Sequence, residues 1–210
     1  MSKFLLGRVN LVRQLIESEL PWHYADCALI LCTVLSACSS RRWPGKGIDR
    51  RRFIELLIRH SPADAHADWV SVPALIAVGL LRDEDTPYGP GGTRIYTDEE
   101  IDLPLDKAVI QYPQVDGHAL KRHTYAALIY EWLRCAYAHE YAGHENTTAF
   151  QPSSRDARTS YIGRGLHGGG LTRIVSFHLP YLIDLTEHHA GDAEAAALTP
   201  PAKWWIDQCL

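Results

Sequence analysis

Residues 120–146, LKRHTYAALIYEWLRCAYAHEYAGHEN, constrain the fold more than any other stretch of the chain. Apolar side chains recur there at the three-to-four spacing of one helix face, over a length that strands do not reach. The segment predicts a long buried helix. Its far end carries the densest cluster of reactive side chains in the sequence: Arg134, His139, Glu140, Tyr141, His144 and Glu145. A helix with so wide an apolar face needs other helices to cover it, which directs the rest of the chain towards a bundle.

The remaining sequence supplies those helices. Residues 2–20 place Phe4, Leu5, Val9, Val12, Leu15, Ile16 and Leu20 on one amphipathic face, and Pro21 stops the helix. Residues 24–38 are apolar nearly all round, the pattern of a central helix, and their alanines and cysteines let neighbours approach closely. Residues 39–47, SSRRWPGKG, are expected to form a loop, with Trp43 a candidate exposed platform for stacking a base. A third helix opens at Ile48 or Asp49, with Phe53, Leu56 and Leu57 facing inward. Arg50, Arg51 and Arg52 crowd its first turn, where cations oppose the helix dipole. They are either a solvated face or side chains kept there for a partner.

Residues 70–81 predict a short helix with Pro73 in its first turn, and residues 82–92 a loop. Residues 94–98 and 108–112 read as short strands, and residues 159–162 and 171–177 as a hairpin around GRGLHGGG. A last helix covers residues 179–197, and Trp204-Trp205 should pack back on the core. The expected architecture is mainly α: one domain over residues 1–210, a bundle of about five or six helices. A small β element is inserted around residues 94–112 and 159–177.

Composition narrows the function. The chain is 46% hydrophobic and 22% charged with a formal net charge of −4, so no global basic field announces a nucleic-acid binder. Five cysteines without a CxxC spacing read as reduced thiols in a cytoplasmic protein. No secretory h-region stands near Met1, and the longest apolar run, residues 25–37, is too short to cross a bilayer.

The sharpest motif is Arg134-x4-His139 within YEWLRCAYAHEY. With 16 arginines and 11 histidines, about two to three such pairs arise by chance at the spacings allowed, so context must discriminate. Of the three pairs present, Arg59/His66 is interrupted by Ser61-Pro62, and Arg173/His178 lies in a β-like run. Only Arg134/His139 sits on a strong helical pattern. That pair, an upstream helical pair and the apolar helix at residues 24–38 resemble the HEPN family of R-x4–6-H ribonucleases, and the likeness covers most of the chain. Cys135 stands where such motifs often carry a polar residue.

The resemblance implies a HEPN-like helical bundle that cleaves RNA without metal or other cofactor, as a homodimer, in toxin–antitoxin or phage-defence systems. It implies an antitoxin or other regulatory protein as a further partner. Arg134 and His139 would be catalytic. The chemistry suits them, since a near-neutral histidine can move the 2′-hydroxyl proton and an arginine fork can hold phosphate oxygens. Positions five apart on a helix differ by about 140°, so one pair does not converge on one phosphate, and a two-fold interface would supply the second pair. Tyr141, His144 and Asn146 are candidate RNA contacts, as are Arg50, Arg51, Arg52, Lys121 and Arg122 for phosphates.

Other readings stand beside this one. Arg134 and His139 would be structural if Glu131 or Glu140 paired with them. A helical interaction or RNA-binding module without catalysis needs no site at all. A metal-dependent hydrolase is suggested by His139-Glu140-x3-His144-Glu145, but the histidines are five apart, not the four that HExxH requires. His167-Gly168-Gly169-Gly170 matches an oxyanion-hole string, yet the chain has no G-x-S-x-G elbow, and a hairpin turn accounts for it.

Overall fold

A computed structural model describes residues 1–18, 23–86, 94–149, 157–165, 171–194 and 196–210. The protein is mainly helical with small sheets, as the periodicity predicts. Helices α1 (Ser2–Glu17), α2 (Tyr24–Arg42) and α3 (Asp49–His60) come first. Strand β1 (Trp69–Val70) leads into α4 (Val72–Ala77). There follow β2 (Tyr96–Thr97), α5 (Asp98–Ile101), β3 (Leu103–Pro104), α6 (Leu105–Gln111) and α7 (Gly117–Arg122). Helix α8 (Tyr125–Leu128), a π-helical segment (Ile129–Cys135) and α9 (Ala136–Glu140) form one continuous helical run. Strands β4 (Thr159–Gly165) and β5 (Leu171–Phe177) and helix α10 (Leu179–Gly191) complete the order.

Helix α2 is the hub. It packs against α1, α3, α9, α10 and the π-helical segment. It can do so because Cys27, Ala28, Leu31, Cys32, Val34, Leu35 and Cys38 bury side chains around most of its circumference. Fully buried leucines such as Leu31, Leu35 and Leu57 each contribute about 2 kcal/mol by leaving water. The buried apolar residues of all the helices join one connected cluster.

The sheets are small. Strands β2, β4 and β5 pair antiparallel in that order, with Tyr96 opposite Tyr161 and Thr159 opposite Phe177. Strands β1 and β3 form a second antiparallel pair. The turn of the β4–β5 hairpin and the HGGG string lie outside the described residues, as do Leu20, Pro21 and Arg155.

Several expectations need correction. Residues 108–112 are helical, within α6 and its cap, rather than a strand. Their β-branched Val109 and Ile110 face solvent, while Leu105, Ala108 and Tyr112 form the buried face at helical spacing. Residues 39–42 extend α2 instead of forming a loop. Trp43 is not an exposed platform: it is buried against Trp204 and His60, with ring centroids 5.7 and 5.5 Å away. The last helix ends at Gly191, short of residue 197. Residues 120–146 are not one helix either. Thr124 is extended, its hydroxyl donates to the Lys121 carbonyl, and it pairs with Val70 beside β1. The chain breaks there because the β1 edge captures its backbone.

Candidate functional site

The helical run from α8 to α9 positions Arg134 and His139. Its seven-residue π-helical segment is wider than an α-helix, a form that recurs at functional sites. At the far end Tyr141 takes a left-handed conformation (φ 51°) and turns the chain. The chain folds back over the helix: the His144 N–H approaches the Trp132 carbonyl at 3.4 Å, and the two rings stack with centroids 4.8 Å apart. Gly143 permits this return, since a Cβ there would lie 2.9 Å from both the Tyr137 hydroxyl and the Thr147 hydroxyl. Asn146 then ties the loop to β5, its carbonyl accepting from the Val175 N–H at 2.9 Å. The Asn146 N–H donates to His144 Nδ1 at 3.2 Å, which leaves the neutral ring's proton on Nε2.

Arg134 and His139 line separate clefts. Arg134 is half-buried over the Tyr130 ring, 5.4 Å from its centroid, and its nearest polar contact is Cys135 Sγ at 3.9 Å. Among the described residues it has no carboxylate or carbonyl partner. Its cleft, about 280 Å³, also takes in Ser36, Ser40, Asp49 and Arg52. His139 is exposed and lines a cleft of about 400 Å³ with Cys135, His144 and three glutamates, Glu131, Glu140 and Glu145. Within one subunit no hydrogen bond or ion pair joins the arginine and the histidine among the described residues. Neither is paired with Glu131 or Glu140: Glu131 pairs with Arg50 at 2.6 Å.

The remaining candidates have diverse fates. Arg51 pairs with Asp207 at 2.7 Å. Arg52 is 8% exposed, is held by Asp49, and donates to the carbonyls of Trp43 and Gly45, so only its Nε is uncommitted. Lys121 leaves the set of phosphate contacts: it is 2% exposed, and Nζ donates to the carbonyls of Trp205 and Gln208 at 2.8 and 2.7 Å. Arg122 is exposed. Tyr141 is exposed and donates its hydroxyl to Asp26 of α2, an acceptor that raises the phenol's pKa. Among the described residues no group of three or more His, Cys, Asp or Glu side chains is placed to hold a metal ion.

The sequence left a second polar cluster unmarked. Asp102 is buried and accepts from the Tyr125 and Tyr161 hydroxyls and, at 3.0 Å, from the Val72 N–H. Burial pushes its carboxyl well above the usual carboxylate range. Thr159 and Ser71 extend the network through Tyr161. The only local hint was an aspartate between Ile101 and Leu103. Every member is enclosed, so this cluster pins α4, α8 and β4 together rather than meeting a ligand. No helix among the described residues is long and apolar enough to cross a membrane. Comparison with family models, curated proteins and solved structures finds no match for this chain.

Proposed function

We propose that the protein is a HEPN-like, metal-independent endoribonuclease that acts as a homodimer, with Arg134 and His139 at the site. The observation that carries this reading is the state of Arg134. Its guanidinium is half-buried over the Tyr130 ring and has no carboxylate or carbonyl partner among the described residues, so its charge is left for an external anion. A phosphate would pair with it. His139 stands exposed five residues on.

In this reading one His139 removes the proton of an RNA 2′-hydroxyl. The 2′-oxygen attacks the adjacent phosphorus, and the P–O5′ bond breaks. The leaving 5′-oxygen takes a proton from a second His139, on the other copy. Arg134 neutralises the phosphoryl oxygens as charge builds. His139 and Arg134 of one chain line different clefts, and in this reading a second copy supplies the partner histidine.

The test is cleavage of single-stranded RNA in EDTA by the wild type and by His139→Ala, with oligomeric state measured by light scattering. Loss of cleavage in the variant and a dimeric wild type are expected. Equal cleavage by both proteins, or none by either, overturns the assignment. A second reading, an interaction module without catalysis, is favoured by the exposed Glu140 in the cleft of His139, whose charge repels phosphate. It expects no cleavage, and a basic protein partner whose binding is lost on Glu140→Lys.

A further inference from the structure

We propose that the cleft between α2, α3 and the π-helical segment binds a phosphoryl group, with Arg134 as principal ligand and Ser36 and Ser40 as hydroxyl donors. The inference deepens the reading above and rests on its assignment of Arg134 to phosphate. His139 takes no part in it.

The charge of the cleft favours an anion. Two guanidiniums, Arg52 and Arg134, face one carboxylate, Asp49, and that carboxylate is held by Arg52. The net balance is one positive charge, and it resides on Arg134. Arg52 adds an independent sign of a missing partner. It is 8% exposed, and its Nε is buried with no hydrogen-bond acceptor. Buried donors of this kind are rarely left without an acceptor, because losing water costs about 1–3 kcal/mol. The cleft also meets the amino end of the 12-residue helix α3, which no side chain caps. Free N–H groups and the positive end of the dipole add to the preference for an anion.

The hydroxyls complete a donor set. Ser36 and Ser40 lie one turn apart on α2, and neither hydroxyl has a partner among the described residues. Thr33 donates to the Leu29 carbonyl at 2.7 Å, so its oxygen is left as an acceptor. Phosphoryl oxygens accept from serines and guanidiniums, while a sugar hydroxyl can donate to Thr33. The Tyr130 ring beneath Arg134 holds the guanidinium in place. A volume of about 280 Å³ accommodates a phosphoryl group with the sugar attached to it. The phosphate can belong to a small phosphomonoester or to an RNA backbone, and the chemistry of recognition is common to both.

Isothermal titration calorimetry in metal-free, low-salt buffer separates these cases. The ligands are inorganic phosphate, adenosine 5′-monophosphate and a short single-stranded RNA. The proteins are wild type, Arg134→Ala, Arg134→Lys and the double variant Ser36→Ala/Ser40→Ala. Saturable binding of at least one ligand to wild type is expected, weakened about tenfold or more by Arg134→Ala. Arg134→Lys should recover only part of the loss, because the ammonium lacks the fork. The double serine variant, which preserves helix propensity, should weaken binding several-fold. Binding of the RNA alone assigns the cleft to a polynucleotide backbone; binding of the monophosphate or phosphate assigns it to a small ligand. No saturable binding, or binding unchanged by both Arg134→Ala and the double serine variant, overturns the proposal. Phosphate binding without RNA cleavage overturns the nuclease reading alone. RNA cleavage with no phosphate binding and no effect of the serine changes overturns this inference alone.

Discussion

At the start of the helical run over residues 125–140, Tyr125 donates its hydroxyl to Asp102, which also accepts from Tyr161 and from the Val72 N–H. At the other end Arg134 rests on Tyr130 with no carboxylate or carbonyl partner among the described residues, and His139 stands in solvent. The first region completes its hydrogen bonds within the fold. The second leaves them open. A fully satisfied buried network rigidifies and specifies a packing, and an unsatisfied one is stable only beside water or a ligand. Polar groups on one helical run are thereby divided between holding the fold and meeting something outside it.

Four experiments test that contrast. The largest effect is expected at His139: His139→Ala should lower RNA cleavage by about 10²–10⁴-fold, the usual contribution of a positioned acid or base. Its urea midpoint should stay at the wild-type value. A fall in stability equal to the fall in activity would place His139 on the structural side and erase the division.

Asp102→Ala comes next. It leaves two tyrosine hydroxyls and one backbone N–H buried without their acceptor. A loss of about 3 kcal/mol or more is expected from equilibrium urea unfolding. A loss below about 1 kcal/mol would mean that water reaches the network and that it is not enclosed.

The third concerns a histidine of the closed kind. His189 is buried against Ser61, and burial followed by the nearby His188, His60 and Arg42 lowers its pKa from 6.5 to about 3. Above pH 6.5 it is neutral folded or unfolded. As pH falls below 6.5 the unfolded chain takes up a proton that the folded chain refuses, so stability drops towards pH 3. Between pH 7 and pH 5 this one group should cost about 2 kcal/mol. His60, His66, His123 and His178 are lowered too, so the slope of wild type minus His189→Asn isolates the effect. Parallel slopes for the two proteins would show that water reaches His189.

The smallest effect is expected at Arg134. Arg134→Ala should change unfolding free energy by less than about 1 kcal/mol, because Arg134 has no ion pair to lose among the described residues. A loss of about 3 kcal/mol would reveal an internal partner and move Arg134 to the structural side.

The sequence made much of this legible. Helices α1, α2, α3 and α10 and the β4–β5 pairing follow from periodicity, which local residues encode. Arg134 and His139 were visible as types at a spacing, on a segment that is indeed helical. Local pattern misled at Val109 and Ile110, whose β-branching suggested a strand, because the deciding fact was which face met the core. It misled again at Trp43, which is buried against Trp204 from the far end of the chain.

Read along the chain, periodicity and residue type were enough to make the protein mainly α and to show where its reactive side chains concentrate. Those properties depend on near neighbours along the chain. The fold settled where the long helix breaks, that part of it widens to a π-helix, and which cations lack partners among the described residues. Lys121 looked as available as Arg134 until the fold brought carbonyls 84 and 87 residues away onto its ammonium. Whether a charge is satisfied depends on what lies within a few ångströms in space, and at long range the order of residues does not state that distance.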